Sequence, residues 1–260
     1  MSLNPRINDW RNKRVWLVGA SSGIGAALAA ALKNRGAVLA LSARRASALD
    51  DLLIDAAPGS LALALDVTDA NAVEQAAQRL FNEWQGIDLV VWLAGTYAPM
   101  RAQSFDLTIA RSTIEANIMG PLNGLAALLP RMITERRGGI ALVSSVAGYR
   151  GLPKSLIYGP TKAAVTNLAE SLYLDLNPSG IGVWVINPGF VETPLTALND
   201  FRMPALISPE AAAEAIVNGF ASGRFEIDFP KRFTRTLKLM RSLPYRLYFA
   251  AVSRAVDGRG

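Results

Sequence analysis

Three polar side chains in the second half of the chain have the types and the spacing for proton transfer. Ser145 follows an apolar run, Tyr158 lies 13 residues later, and Lys162 lies four residues after Tyr158. In a helix, the four-residue interval places Tyr158 and Lys162 on one face. A phenol with a pKa near ~10 is a weak acid at neutral pH, but a neighbouring ammonium stabilises the phenolate and lowers that pKa. We therefore expect Tyr158 to act as general acid and base, with Ser145 donating a hydrogen bond to a substrate oxygen.

The chain contains neither cysteine nor histidine, and this excludes many other kinds of site. Disulfides, thiolate metal sites and cysteine nucleophiles are ruled out. The Ser-His-Asp triad and imidazole-bound zinc are ruled out as well. Acid–base chemistry near neutral pH is left to Asp, Glu, Lys or Tyr. We predict no metal site.

The net charge of +6 is concentrated at the C-terminus. Residues 231–260 contain eight basic residues and one acidic residue, whereas residues 1–230 are nearly balanced. A nucleic-acid-binding protein is more naturally basic across a whole face, so we expect no nucleic-acid partner. The uncharged stretch 15–32 resembles the apolar part of a signal peptide or a short membrane span, but the glycines and serines at its centre indicate a turn. We expect a cytoplasmic protein.

Short apolar runs alternate with alanine-rich helical stretches along the chain. Strands that are apolar on both faces and alternate with helices predict an α/β fold with a doubly wound parallel sheet of about seven strands, covered by helices on both faces. The predicted strands cover 15–18, 38–42, 61–65, 87–93, 139–144, 181–186 and 225–227. The predicted helices cover 24–35, a stretch ending at 55, 71–84, 104–112, 113–134, 156–176 and 209–221. We predict a single domain, with 1–230 as its catalytic part and 231–260 as a basic helical extension.

A glycine-rich turn separates the first predicted strand from its helix. Gly19, Gly23 and Gly25 have the spacing G-x-x-x-G-x-G. Glycines allow a tight turn and let backbone N–H groups approach a pyrophosphate, and the helix that begins there adds a partial positive charge. Ser21 and Ser22 can add hydroxyl donors. The alternative is a glycine-rich turn that serves packing alone.

The end of the second predicted strand indicates which nicotinamide cofactor fits. An acidic residue there would accept hydrogen bonds from the adenosine ribose and repel a 2′-phosphate. Ala43 takes that position, and Arg44 and Arg45 follow it. Because guanidinium groups bind phosphate through paired hydrogen bonds, we expect NADP rather than NAD. The alternative is that both arginines only cap a solvated helix start.

Taken together, these motifs resemble those of the short-chain dehydrogenase/reductase family. The segment 19–25 is similar to the family's cofactor loop, and Ser145, Tyr158 and Lys162 match its catalytic serine, tyrosine and lysine. Asn117 matches the asparagine that completes the family's catalytic tetrad. The resemblance implies that Asn117 holds a water in the proton relay from lysine.

The resemblance runs from about residue 13 to residue 223, with each motif in order. It implies a Rossmann-type fold and a homodimer or homotetramer. Asp66 and Val67 match the pair that contacts adenine, and 187–193 matches the segment beside the nicotinamide. The full set of predicted cofactor-binding residues is Gly19, Ser21, Ser22, Gly23, Ile24, Gly25, Arg44, Arg45, Asp66, Val67, Ala94, Gly95, Tyr158, Lys162, Pro188, Gly189, Val191 and Thr193.

The sequence departs from the family pattern at two places. Val18 stands where a threonine commonly precedes the first glycine, and Trp92 and Leu93 replace two asparagines that usually hydrogen-bond neighbouring strands. The catalytic four are intact, so we expect activity to be retained.

The family reaction is hydride transfer between NADP(H) and a carbonyl or a secondary alcohol, and two segments are expected to select the substrate. The loop 194–208 and the segment 148–157 predict an apolar pocket with a mobile lid. Its expected members are Leu152, Ile157, Leu195, Leu198, Phe201, Met203 and Leu206. Three charged residues nearby are expected to be solvated: Arg150, Lys154 and Arg202.

The C-terminal extension predicts an amphipathic helix interrupted at Pro244. On a helical wheel its apolar face is Phe233, Leu237 and Met240, and its basic face is Lys231, Arg235 and Lys238. Such a helix over 231–256 can lie on an anionic membrane, or it can pack on its own or a sister subunit. The alternative to an enzyme is a non-catalytic cofactor-sensing or membrane-surface binding protein on the same fold.

Overall fold

A parallel sheet runs through the centre of the molecule. In the computed structural model, which describes residues 2–45, 47–201 and 203–257, seven strands pair in the order β3-β2-β1-β4-β5-β6-β7. The strands are β1 (Arg14–Val18), β2 (Val38–Ala43), β3 (Leu61–Ala64), β4 (Leu89–Trp92), β5 (Gly139–Val143), β6 (Gly182–Pro188) and β7 (Glu226–Phe229). Every strand pair is parallel. The predicted α/β class and the number of strands are confirmed.

Helices cover both faces of the sheet. They are α1 (Gly23–Lys33), α2 (Ser47–Asp50), α3 (Ala70–Trp84), α4 (Leu107–Ile114), α5 (Gly120–Glu135), α6 (Tyr158–Leu176), α7 (Pro209–Ser222), α8 (Lys231–Arg241) and α9 (Tyr245–Asp257). One apolar core joins α3, α5 and α6 to the sheet, and a second joins α1 and α7 to its other face. This two-sided burial explains why the strands read as continuous apolar runs.

Two predicted helix boundaries were wrong. The helix expected to end at residue 55 is the single turn α2 followed by a 3-10 turn at Asp51–Leu53, because Ile54 is extended and Asp55 has a left-handed φ of 59°. The stretches 104–112 and 113–134 form α4 and α5, which are joined by a π-helical segment, Glu115–Met119. Asp106 accepts hydrogen bonds from the N–H groups of the first turn and fixes the later start of α4.

Trp92 and Leu93, which stand where the family usually has two asparagines, are accommodated without loss of sheet pairing. The Trp92 ring packs edge-on against Trp16, with centroids 6.3 Å apart. A Cβ at Gly124 would lie only 2.1 Å from the Trp92 ring, so α5 has a glycine where the indole needs room. The Leu93 N–H donates to the Val18 carbonyl at 2.8 Å, which continues the backbone bonding of the strands.

The strand order reverses between β1 and β4, and a crevice opens there at the carboxyl ends of the strands. In doubly wound sheets this switch point is where ligands bind. Among the described residues, no helix has both the length and the apolar character needed to cross a bilayer.

Candidate active site

The three proton-transfer residues predicted from the sequence come together at the carboxyl end of β5. Ser145 follows that strand, and Tyr158 begins α6. The Ser145 hydroxyl hydrogen-bonds the Tyr158 phenol. One turn further along α6, the Lys162 ammonium lies 5.7 Å from the centre of the Tyr158 ring. The placement predicted by the four-residue spacing is therefore present.

The expected effect of Lys162 on the phenol is not seen. Burial raises the pKa of Tyr158 to about 12, and the hydrogen bond from Ser145 only partly opposes this. Lys162 instead donates to the Val143 carbonyl at 3.0 Å, and burial lowers the pKa of its ammonium to about 8. The prediction that Lys162 makes the phenol more acidic was wrong for this arrangement of side chains, because burial of the phenol dominates its pKa and the ammonium donates to the Val143 carbonyl instead.

Asn117 lies in the π-helical segment and is 1% exposed. Its amide oxygen accepts from the Thr96 N–H at 2.7 Å, and its amide nitrogen donates to the Thr96 carbonyl at 3.0 Å and to the Thr161 hydroxyl at 3.1 Å. Asn117 thus ties the loop after β4 to the helix that carries Tyr158 and Lys162. Thr96 and Thr161 had no motif that singled them out in the sequence.

Gly95 fits closely between the side chains of two catalytic candidates. A Cβ there would lie 2.9 Å from the Asn117 amide oxygen and 3.4 Å from the Lys162 nitrogen. A larger residue would displace one of them, which explains why this glycine remains although the two residues before Ala94 have changed.

A cleft of about 1080 Å³ crosses the carboxyl ends of β1, β2, β4, β5 and β6. All of the predicted cofactor-binding residues line it, from the glycine turn through Arg44, Arg45, Asp66 and Val67 to Thr193. The residues predicted to hold a dinucleotide therefore form one continuous surface. The sequence did not single out Thr68, Ser112 or Pro194, which also line it.

The glycine turn is built for close backbone approach. A Cβ at Gly19 would lie 2.5 Å from the Ala94 nitrogen, and one at Gly25 would lie 2.2 Å from the Gly19 carbonyl oxygen. Gly23 has a left-handed φ of 54°, and its added Cβ would meet Thr193 at 2.8 Å. The turn thus packs against two other walls of the cleft, and its shape suits a bound pyrophosphate.

The adenosine end of the cleft carries both signs of charge. Asp66 accepts from the Thr68 N–H at 3.0 Å and from its hydroxyl at 2.8 Å. These bonds, with a smaller contribution from Arg44, lower the pKa of the Asp66 carboxyl. β2 ends at Ala43, so the carboxyl end of this strand offers two guanidinium groups and no carboxylate.

A second cavity of about 1130 Å³ meets the cleft at the proton-transfer residues. Ser145, Tyr158, Gly189, Leu195 and Thr196 line both spaces. A molecule in the second cavity can therefore reach the Tyr158 hydroxyl and the cleft at once.

The prediction of the cavity's lining was right in part. Leu152, Leu195, Phe201 and Met203 line it. Leu198, in a 3-10 turn, is 55% exposed, and Leu206 is 42% exposed. Neither lines the cavity, and nor does Ile157, which precedes the first turn of α6.

Other lining residues come from parts of the chain that the sequence did not connect with the substrate. These are Tyr97 after β4, Phe190 after β6, and Phe233, Leu237, Met240 and Val252 from α8 and α9. The apolar face predicted by the helical wheel is real, and it faces the cavity. The sequence showed that this helix has an apolar face, but it did not show which part of the molecule that face contacts.

Two polar contacts hold the lid, residues 195–201 and 203–206, over the cavity. The Tyr97 hydroxyl donates to the Asn199 amide oxygen at 2.8 Å, and the Lys154 ammonium pairs with the Asp200 carboxylate. Lys154 was predicted to be solvated, and the structure corrects this because its partner lies in the lid. Arg202 lies outside the described residues.

Arg150, also predicted to be solvated, binds the C-terminal helices. Its guanidinium donates to the Leu243 carbonyl at 2.6 Å and to the Arg241 carbonyl at 3.0 Å. It also lies over the rings of Tyr245 and Tyr248, 4.7 Å and 4.1 Å from their centres. The guanidinium thus satisfies carbonyls at the C-terminal end of α8 and holds α9 against the body.

A second set of bonds joins α8 to the end of the sheet. Lys238 donates to Glu226 at 2.6 Å, and Glu226 in turn accepts from the Tyr149 hydroxyl at 2.6 Å. Lys231 pairs with Asp228 at 2.6 Å, and these charges hold the pKa of the Asp228 carboxyl below its usual range despite burial. The extension therefore packs on its own subunit through one face.

Known proteins with similar sequences include oxidoreductases from several bacteria. The chain is 36% identical over 241 residues to an uncharacterized oxidoreductase of Myxococcus xanthus, covering 92% of this chain and 95% of that protein. It is 30% identical over 207 residues to one from Staphylococcus epidermidis, covering 80% and 90% of the two chains.

Two crystal structures share the fold over nearly the whole chain. A short-chain dehydrogenase from Streptomyces avermitilis has a TM-score of 0.79 at 25% identity, covering 96% of this chain and all of that one. One from Burkholderia cenocepacia, in complex with NADP, has a TM-score of 0.81 at 23% identity, covering 97% and 99%.

The sequence profile described as short chain dehydrogenase matches residues 13–201, which include the glycine turn and all four catalytic candidates. Membership of one family therefore explains both the order of the motifs along the chain and their position around one cleft. This chain belongs to the short-chain dehydrogenase family of oxidoreductases.

Proposed function

We propose that this oxidoreductase transfers hydride between NADP(H) and the carbonyl or secondary alcohol of an apolar substrate. One observation carries the proposal: the cleft and the second cavity meet at Ser145 and Tyr158, with Lys162 behind them. A carbonyl in the cavity can therefore contact a proton donor while its carbon faces the cleft. Bound NADPH would supply the hydride.

The chain's own residues suit the reductive direction. With a pKa of about 12, the Tyr158 phenol is protonated at neutral pH and can give its proton to a developing alkoxide. Ser145 stabilises the negative charge on that oxygen through its hydroxyl. Lys162, with a pKa of about 8, is mostly an ammonium at neutral pH and lies 5.7 Å from the centre of the Tyr158 ring. The family resemblance assigns Asn117 the anchoring of a relay water that would return the proton, and in this chain its side chain fixes the loop at Thr96 against Thr161.

The preference for NADP rests on the end of β2. Arg44 and Arg45 line the cleft there and can bind a 2′-phosphate. A carboxylate at position 43 would repel that phosphate, and this position is an alanine. The complex of the Burkholderia cenocepacia dehydrogenase with NADP supports this choice.

We also propose that the protein is a homo-oligomer, with a homodimer as its smallest form. Large apolar side chains remain exposed along α4 and α5, namely Leu107, Ile109, Ile114, Leu122 and Ile133. Apolar surface of this kind is often covered by a sister subunit. Light scattering on the purified chain would test this, and a monomer at micromolar concentration would refute it.

The decisive experiment compares the wild type with Tyr158→Phe on a panel of aldehydes and ketones of increasing chain length. We expect the wild type to consume NADPH, with kcat/KM rising with chain length. The variant should lose turnover, because it lacks the donated proton, and should still bind NADPH in a fluorescence titration.

The same panel separates the proposed enzyme from a non-catalytic cofactor sensor. Turnover that persists in Tyr158→Phe would refute the assigned role of the phenol. A wild type that binds NADPH tightly but turns over no member of the panel would favour the sensor. Ser145 and Tyr158 line both cavities where they meet, with Lys162 and Asn117 packed close behind them, and this arrangement favours the enzyme.

A further inference from the structure

The exposed surfaces of α8 and α9 carry several large apolar side chains that are close together in the sequence. Leu239 is 75% exposed, Tyr245 71%, Leu247 56% and Phe249 58%. All four lie within an eleven-residue stretch of the chain. We call the exposed residues of 231–254 the tail face. So many exposed large apolar side chains in so short a stretch of folded chain indicate an interaction surface.

The tail face is also strongly and uniformly basic. Its exposed arginines are Arg232, Arg235, Arg241, Arg246 and Arg254. The chain has no acidic residue between positions 231 and 256. The two lysines of α8 pair with Glu226 and Asp228, whereas within the described part of the chain none of these arginines has a carboxylate at salt-bridge distance. The arginines therefore remain available to an external anionic surface.

We propose that the tail face docks on a membrane surface rich in anionic lipid. In this geometry the exposed leucines and aromatic rings enter the interface between headgroups and acyl chains, and the arginines contact phosphate groups. A second copy of this chain fits less well. A two-fold contact through the tail face would bring the arginines of both copies together with no acid to compensate them.

The tail face is held in shape before it meets a membrane. Arg150 ties the end of α8 to α9, and the Tyr248 hydroxyl donates to the Gly151 carbonyl at 2.7 Å. The inner sides of the same helices carry Phe233, Met240 and Val252, which line the second cavity. Docking would thus place one wall of that cavity at the lipid surface.

The test is co-sedimentation of the full chain with vesicles of phosphatidylcholine alone or mixed with phosphatidylglycerol. We expect binding to the mixed vesicles, weakening as salt rises, and little binding to phosphatidylcholine alone. Arg235→Gln combined with Arg246→Gln should weaken binding by roughly 25-fold, at about fivefold per charge. Leu239→Ser combined with Leu247→Ser should also weaken it, and neither pair touches the catalytic residues.

Matched controls change similar residues elsewhere. Leu3→Ser combined with Ile54→Ser alters positions that are 55% and 60% exposed, and Arg111→Gln removes a charge from α4. These variants should bind like the wild type, and every variant should retain NADPH binding and its melting temperature. Equal sedimentation of the tail-face and control variants would overturn the proposal. So would loss of dimers, rather than of vesicle binding, in Leu239→Ser with Leu247→Ser, because a sister subunit would then cover the face.

Discussion

The ring of Tyr97 stands edge-on to the ring of Tyr158, with centroids 4.9 Å apart and an angle of 73° between the planes. The Tyr97 hydroxyl points to the lid and donates to Asn199. One side chain therefore supports the proton donor with its ring and the lid with its hydroxyl. These two functions can be separated by mutation.

Tyr97→Phe keeps the ring contact and removes the bond to Asn199. We expect KM for a ketone to rise several-fold with kcat nearly unchanged, because the lid closes less firmly over the substrate. Tyr97→Ala also removes the edge-to-face contact, which is worth about 0.5–1.5 kcal/mol, so kcat should fall by roughly 2- to 10-fold as well. Steady-state kinetics of both variants separate the effects. An equal fall in kcat in both would show that the lid bond, and not the ring, positions Tyr158.

Lys162 is 5% exposed, and burial lowers the pKa of its ammonium from 10.5 to about 8. Between these values the unfolded chain holds a proton that the folded protein has released, so stability rises with pH across this window. Below the folded pKa, the buried ammonium lowers the free energy of unfolding by the full amount, about 3 kcal/mol. Lys162→Met should therefore inactivate the enzyme and stabilise it at neutral pH by about 2 kcal/mol, after the lost bond to Val143 is subtracted.

Urea unfolding of the wild type and Lys162→Met at pH ~7 and pH ~9.5 measures this. The difference in unfolding free energy between the two proteins should shrink at the higher pH, because folded wild type no longer holds a buried charge there. The reductive activity of the wild type should fall as pH rises through about 8, because the ammonium beside Tyr158 is lost there. A variant that is less stable than the wild type at both pH values would show that the bond to Val143 dominates.

The sequence predicted the sheet and the cleft well because both depend on local patterns. Strands buried on both faces are continuous apolar runs, and the glycine turn, Arg44 and Asp66 each follow directly from the end of a strand. In a parallel sheet all these ends meet at one edge, so correct strands bring the motifs together.

The sequence predicted less well whatever depends on contacts between distant segments. Arg150 and Lys154 looked like solvated charges because their partners lie 46 or more residues away, in the lid and the C-terminal helices. The raised pKa of Tyr158 had the same origin: spacing reveals the nearby ammonium, but only the packed structure reveals how deeply the phenol is buried.

The proposed preference for NADP can be tested at the end of β2. Ala43→Asp combined with Arg44→Ser adds the carboxylate that accepts from a ribose and removes a guanidinium that can bind the 2′-phosphate. A hydrogen bond to a charged group is worth about 1.5–3 kcal/mol, so the ratio of kcat/KM for NADPH over NADH should fall by roughly 10- to 100-fold. Arg111→Gln, in α4 and away from β2, is the matched control. An unchanged ratio would mean that Arg44 only caps the start of α2.

Arg150 should decide whether the C-terminal helices stay in place. Arg150→Ala removes the donors to the carbonyls of Arg241 and Leu243 and the contacts with the rings of Tyr245 and Tyr248. We expect trypsin to cleave α8 and α9 at least tenfold faster. The free energy needed to open these helices locally should fall by about 1.4 kcal/mol, and the open form is the one that trypsin cleaves. KM for long-chain ketones should rise in parallel, since these helices form one wall of the cavity.

Arg150→Lys tests whether charge alone is sufficient. A lysine retains the cation but lacks the planar guanidinium that can donate to two carbonyls while it stacks on two rings. It should therefore resemble Arg150→Ala in proteolysis and in KM, with kcat for a short ketone unchanged in both. If Arg150→Lys behaved like the wild type, attraction between a point charge and the end of α8 would be enough to hold the tail. If Arg150→Ala also did so, the bonds from Lys238 and Lys231 to the end of the sheet would carry the attachment by themselves.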